Sequence, residues 1–171
     1  MDDRVLGDHM SKQILILIVA AAVVLGGMFL FGSRDAEPKE VKTERTNREI
    51  ATTCDPQMSE DFHIHPLLEI IANGQKIEIP ANIGVEPTCM TALHTHTPDG
   101  IIHVESPEKR DFTLGDFFAV WKQPFSKDEI LTYKADATHR VRITVDGEEV
   151  DTYENTLLKD GEQIVITYET I

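Results

Sequence analysis

Residues 14–32 read ILILIVAAAVVLGGMFLFG, nineteen in a row without a charge. That run constrains the chain more than any other feature, because a helix of this length and apolarity matches the hydrocarbon core of a bilayer. A cleaved signal peptide is the competing interpretation. The run is longer than an ordinary signal core, however, and no A-x-A-like cleavage site follows it. No cysteine stands directly behind it to carry a lipid. The chain therefore divides into a leader (1–13), a transmembrane helix (14–32), a charged linker (33–53) and a globular domain (54–171).

Which side of the membrane the domain faces depends on where the chain starts. Arg34, Lys39, Lys42, Arg45 and Arg48 follow the run, against Arg4 and Lys12 before it, and by the positive-inside tendency this favours a cytoplasmic domain. Met10-Ser-Lys-Gln, however, reads as a natural start, with an amine and Lys12 directly before the apolar residues. On that start the domain lies outside the cytoplasm, the orientation we favour. The formal charge of −14 argues against a nucleic-acid partner, since neutralising phosphates needs a basic surface.

In the linker, Glu44/Arg48 and Arg45/Glu49 fall at i,i+4 and predict a short solvated helix. Beyond it, the pattern is mostly β. Leu67 to Ala72, then Asn73-Gly74, then Gln75 to Ile79, is a strong hairpin signal. Thr113 with Asp116, and apolar residues at 114, 117, 118 and 121, predict a capped helix whose aromatic residues face the core. Ser126 with Glu129 predicts a second, shorter helix. Arg140 to Val145, a turn at Asp146-Gly147, a return from Glu148 to Tyr153, and Gln163 to Tyr168 close the domain with strands. The expected fold is α+β, a small and mostly antiparallel sheet with one or two helices. Its closing half looks like a β-grasp.

Three histidines fall within Ala92-Leu-His-Thr-His-Thr-Pro-Asp-Gly-Ile-Ile-His-Val-Glu105, and two more lie in Phe62-His-Ile-His-Pro66. A hairpin turning at Pro98-Asp99 pairs 96 with 101 and 94 with 103, so that His94 and His103 stand opposite one another. The pleat then places His94, His96, His103 and Glu105 on one face, and Leu93, Thr95, Ile102 and Val104 on the other. His63 and His65 share a face in the same way, and Pro66 confines their segment to an edge or a strand start. Imidazoles gathered at one point repel when protonated, so either they stay neutral or a cation sits among them. Neutral imidazoles suit Zn and Cu, with Glu105 and Asp99 as nearby carboxylates. His9 and His139 read as ordinary polar residues.

Cys54 and Cys89 admit three readings. A disulfide would close a loop of about 35 residues and require an oxidising compartment. The alternatives are two buried thiols, or Cys89 as a soft ligand or reactive thiol beside the histidines.

His63/His65, Ile79-Pro-Ala-Asn-Ile-Gly84, Cys89, Leu93-His-Thr-His96, Gly100-Ile-Ile-His-Val-Glu105 and Phe112-Thr-Leu-Gly-Asp-Phe-Phe-Ala-Val-Trp121 together form a specific pattern. It resembles that of an uncharacterised family of membrane-anchored bacterial and archaeal domains. The resemblance implies a family and no activity. Thr97 departs from the pattern, standing where an Asp is expected, which removes one carboxylate from the turn.

The leading expectation is a membrane-anchored, extracytoplasmic domain that binds Zn or Cu through His63, His65, His94, His96 and His103. Its partners would be the lipid bilayer, through residues 14–32, and the metal ion; no protein partner is legible. Next comes a metal-dependent hydrolase or lyase, with three histidines on the ion and Glu105 moving protons. Third is a structural adaptor in which the histidines are merely polar.

Overall fold

The computed structural model describes residues 44–57 and 61–171, and these belong to a unit that spans Glu44–Ile171. The leader, the apolar run, the Met10 start, His9 and most of the linker lie outside the described residues. Among those described, no helix is long and apolar enough to cross a membrane.

Among the described residues two α-helices, α1 (Asn47–Thr52) and α2 (Leu114–Trp121), and a 3-10 turn (Tyr153–Asn155) accompany a set of short strands. The first eight strands are β1 (Cys54–Asp55), β2 (Phe62–Ile64), β3 (Leu67–Ala72), β4 (Gln75–Ile77), β5 (Val85–Glu86), β6 (Cys89–Thr91), β7 (Leu93–His94) and β8 (His103–Ser106). After α2 come β9 (Phe125–Ser126), β10 (Glu129–Ile130), β11 (Tyr133–Lys134), β12 (His139–Val145), β13 (Glu148–Val150) and β14 (Gln163–Thr170). The domain is α+β and mostly antiparallel, as expected.

Its largest sheet runs β13-β12-β14-β3-β4. The Asn73-Gly74 hairpin forms as predicted, with φ of 51° and 77° at the two turn residues. The last strand, β14, lies in the middle, parallel to β3 and antiparallel to β12. Alternate residues Leu68 and Ile70 of β3, Ile164 and Ile166 of β14, and Val141 and Ile143 of β12 point into the core and are buried.

Helix α2 begins where the sequence predicts. The Thr113 side chain accepts from the Asp116 N–H while Asp116 accepts from the Thr113 N–H, a reciprocal cap of about 1 kcal/mol. Leu114, Phe117 and Phe118 are buried, so the aromatic run is core packing. The linker helix is also present but is not solvated all round. Its Ala51 is fully buried, and Arg48 binds Asp116 and the Gly115 carbonyl of α2.

The second predicted helix does not form. Residues 125–134 instead fold into the small sheet β11-β10-β9. The Ser126 hydroxyl accepts from Asp128 N–H, two residues on, rather than capping a helical turn at Glu129. Strand pairing then buries Ile130 completely, which a solvated six-residue helix with no nucleus would not repay.

Candidate metal centre

The histidines are carried by a separate three-stranded sheet, ordered β2-β8-β7. Its register is the predicted one: His94 opposes His103 and Leu93 opposes Val104. On the other side of β8, His63 opposes Glu105. Leu93, Thr95, Ile102 and Val104 are fully buried on the inner face, so the pleat sorts packing from chemistry.

The hairpin departs from expectation in one respect, because 96 does not pair with 101. Beyond His94 and His103, each arm finds another partner. Thr95 N–H donates to the Ile83 carbonyl, whereas Ile101 bridges to Leu67 and Ile102 N–H donates to the Pro66 carbonyl. The first arm is thereby clamped by the Ile79-Pro-Ala-Asn-Ile-Gly84 loop. Thr95 Oγ1 donates to the Pro80 carbonyl at 2.8 Å and accepts from Ile83 N–H at 3.1 Å. Gly84, at φ 72°, is obligatory there, since a Cβ would stand 2.7 Å from the Leu93 carbonyl oxygen. These contacts give the motif its physical sense: the loop fixes the backbone that aims His94.

All five histidines reach the same region despite the opened hairpin. His94 is wholly buried. Its Nδ1 lies 3.0 Å from the Thr91 carbonyl oxygen, which can only accept, so Nδ1 carries the proton and the Nε2 lone pair faces the cluster. There it meets His96 Nε2 at 3.1 Å. His63 Nε2 lies 3.4 Å from His103 Nδ1 and 3.1 Å from Glu105 Oε1. The same carboxylate oxygen is 3.7 Å from His94 Nε2 and 4.0 Å from His103 Nδ1. His65 is held at the rim by Asp160, which accepts its backbone N–H at 2.9 Å.

The His94–His96 and His63–His103 separations, 3.1 Å and 3.4 Å, are hydrogen-bond distances that also lie near the spacing of ligands around an ion. Bonds of about 2.0–2.1 Å at tetrahedral angles put ligand atoms roughly 3.3–3.4 Å apart. Two histidine groups have ligand atoms close enough to hold a metal, His63/His65/His103 and His94/His96/His103. Burial lowers the pKa of His94 below the usual imidazole range. Burial, reinforced by His94, His96 and His65, pushes that of His103 down to about 4. Both therefore stay neutral at pH 7, the state a metal requires.

Other residues read as candidates have different employment. Cys54 and Cys89 form a disulfide between β1 and β6, so Cys89 supplies neither a thiolate ligand nor a nucleophile. Asp99 stabilises the turn, accepting from Ile101 N–H and from the Thr97 hydroxyl. Thr97 thus makes a turn contact with the Asp99 carboxylate. His139 stacks on Tyr168, away from the cluster, as an ordinary polar residue. Two supporting residues carried no signal in the sequence: Thr91, through its carbonyl, and Asp160, far along the chain. No family model matches the chain, and no curated protein or solved structure matches it.

Proposed function

We propose that this protein is a membrane-anchored, extracytoplasmic domain that captures a transition metal ion, Zn or Cu, on its histidine cluster. The observation that carries this reading is His94. A fully buried imidazole, with one nitrogen tied to a backbone carbonyl and the other turned towards His96 and the Glu105 carboxylate, is the supported ligand of a metal site. The all-nitrogen set with one carboxylate suits Zn(II) or Cu(II) better than Ca or Mg.

The disulfide supports an oxidising compartment, and with it the placement of the domain outside the cytoplasm. The uncharged run over 14–32 supplies the anchor. The central β14, parallel to β3 and flanked by two hairpin-forming pairs, supports the β-grasp reading. The proposed family membership is carried by the sequence motifs alone, Ile79–Gly84, Leu93–His96 and Gly100–Glu105 among them.

Hydrolysis, with Glu105 moving protons, is the second reading, since a cavity reaches that residue. That cavity, of about 270 Å³, is lined by Arg45, Ser106, Glu108 and Arg110 with Glu105, and another of about 350 Å³ lies beside Trp121. None of the five histidines lines either of these two.

Elemental analysis of the full chain in detergent, with a free-thiol count on the same sample, tests the reading. The expected result is stoichiometric Zn or Cu and no free thiol. A chain that retains neither metal, and gains no thermal stability from either, would end it.

A further inference from the structure

The five histidines do not form one coordination set. Every ring contact among them falls inside His63/His65/His103 or His94/His96/His103, and His103 alone belongs to both. Its ring centroid is 4.7 Å from that of His65 and 4.6 Å from that of His96. Around one ion with bonds of about 2.0–2.1 Å, no two ligand atoms lie more than about 4.2 Å apart. Among the described residues, histidine ligand atoms that all lie within 4.8 Å of one another form these two triads and no larger set, so a single ion in either triad would leave two histidines unused. Glu105 Oε1 also reaches both halves, at 3.1 Å from His63 Nε2 and 3.7 Å from His94 Nε2.

We propose that the cluster is a two-ion site, one ion in each triad, with His103 shared between them and Glu105 supplying negative charge at the junction. The inference rests on the metal-binding reading above and adds its stoichiometry. Sharing requires both His103 ring nitrogens to donate lone pairs, so the ring gives up its N–H proton to water as the second ion binds. The imidazolate and the carboxylate together offset part of the repulsion between two dications, which would otherwise forbid such proximity.

The halves are unequal. His94 is fully buried and braced by Thr91, whereas His63 and His65 are exposed, with His65 side-chain exposure at 45%. The His94/His96 half is the preorganised one and fills first; the His63/His65 half fills second.

Titration of the metal-free full chain with Cu(II), followed by electron paramagnetic resonance and elemental analysis after dialysis, tests this. Two equivalents should bind. The resonance signal should grow with the first and fall with the second, as two bridged spins couple. Both His65 and His96 are exposed, so their removal spares the core. His65→Ala should keep only the first equivalent, and His96→Ala should lose the tighter one. One bound equivalent in the wild type overturns the two-ion site and leaves metal capture standing. Two equivalents whose signals simply add overturn the sharing of His103. No binding at all removes both conclusions.

Discussion

Two sheets of this domain use the same pleat for opposite purposes. In the five-stranded sheet the outer face of β12 carries Arg140 and Arg142, and the neighbouring β14 carries Glu169. Glu169 Oε1 accepts from Arg142 Nε at 2.9 Å and from Arg140 Nη2 at 2.9 Å. These opposite charges satisfy one another. The Arg142 guanidinium beside Glu169 holds its carboxyl below the usual range. On the three-stranded sheet the same alternation lays out imidazoles, which are like groups and repel once protonated. A face of opposite charges is complete by itself; a face of histidines around one carboxylate is arranged so that it could hold a metal ion.

The largest effect is expected at the disulfide that closes the 35-residue interval from Cys54 to Cys89 and encloses β2 and the Ile79–Gly84 loop. Replacing both cysteines with serine should cost about 3–4 kcal/mol by the loop-entropy account, read from denaturant midpoints. It should also loosen the histidine sheet before the five-stranded one, which hydrogen exchange would resolve.

Metal comes next. Zn(II) at a hundred times its dissociation constant should stabilise the wild-type chain by about 2.7 kcal/mol, seen as a raised melting temperature. His103→Ala should abolish that gain, whereas Arg142→Ala should preserve it. Equal gains in both variants would show that the cluster is not where the ion binds.

A pH effect follows in the metal-free protein. His103 faces His63, His65, His94, His96 and Glu105, and its pKa falls from 6.5 to about 4 on folding. A depressed folded pKa means that protonation favours the unfolded chain. Its contribution is therefore fully present above about pH 6.5 and is lost as pH falls towards 4. Urea midpoints in the presence of chelator should drop across that window, and His103→Ala should flatten the drop. The smallest effect belongs to the charge-paired face. Glu169→Gln should change stability by no more than about 1 kcal/mol, and less in high salt, because these pairs are partly exposed.

Much of this was legible before any fold was known. Hairpin register, the facing of His94 and His103, and the separation of imidazoles from Leu93, Ile102 and Val104 all follow from turn chemistry and the two-residue period of a strand. The capped helix at Thr113 was legible for the same reason, since its signals lie within one turn. Ser126 shows the limit of such signals: the same hydroxyl can cap a helix or a turn, and burial of Ile130 chose the turn.

What the sequence determined by itself was local: an uncharged run long enough for a bilayer, and a register that gathers imidazoles on one face. Tertiary structure decided the rest. It docked β2 beside β8 so that His63 meets Glu105, split the hairpin after His94 while still returning His96, paired Cys54 with Cys89, and brought Asp160 to His65. Pleat and turn geometry are fixed by neighbours in the chain. Which segments meet across tens of residues depends on how the whole core packs, and no local spacing encodes that.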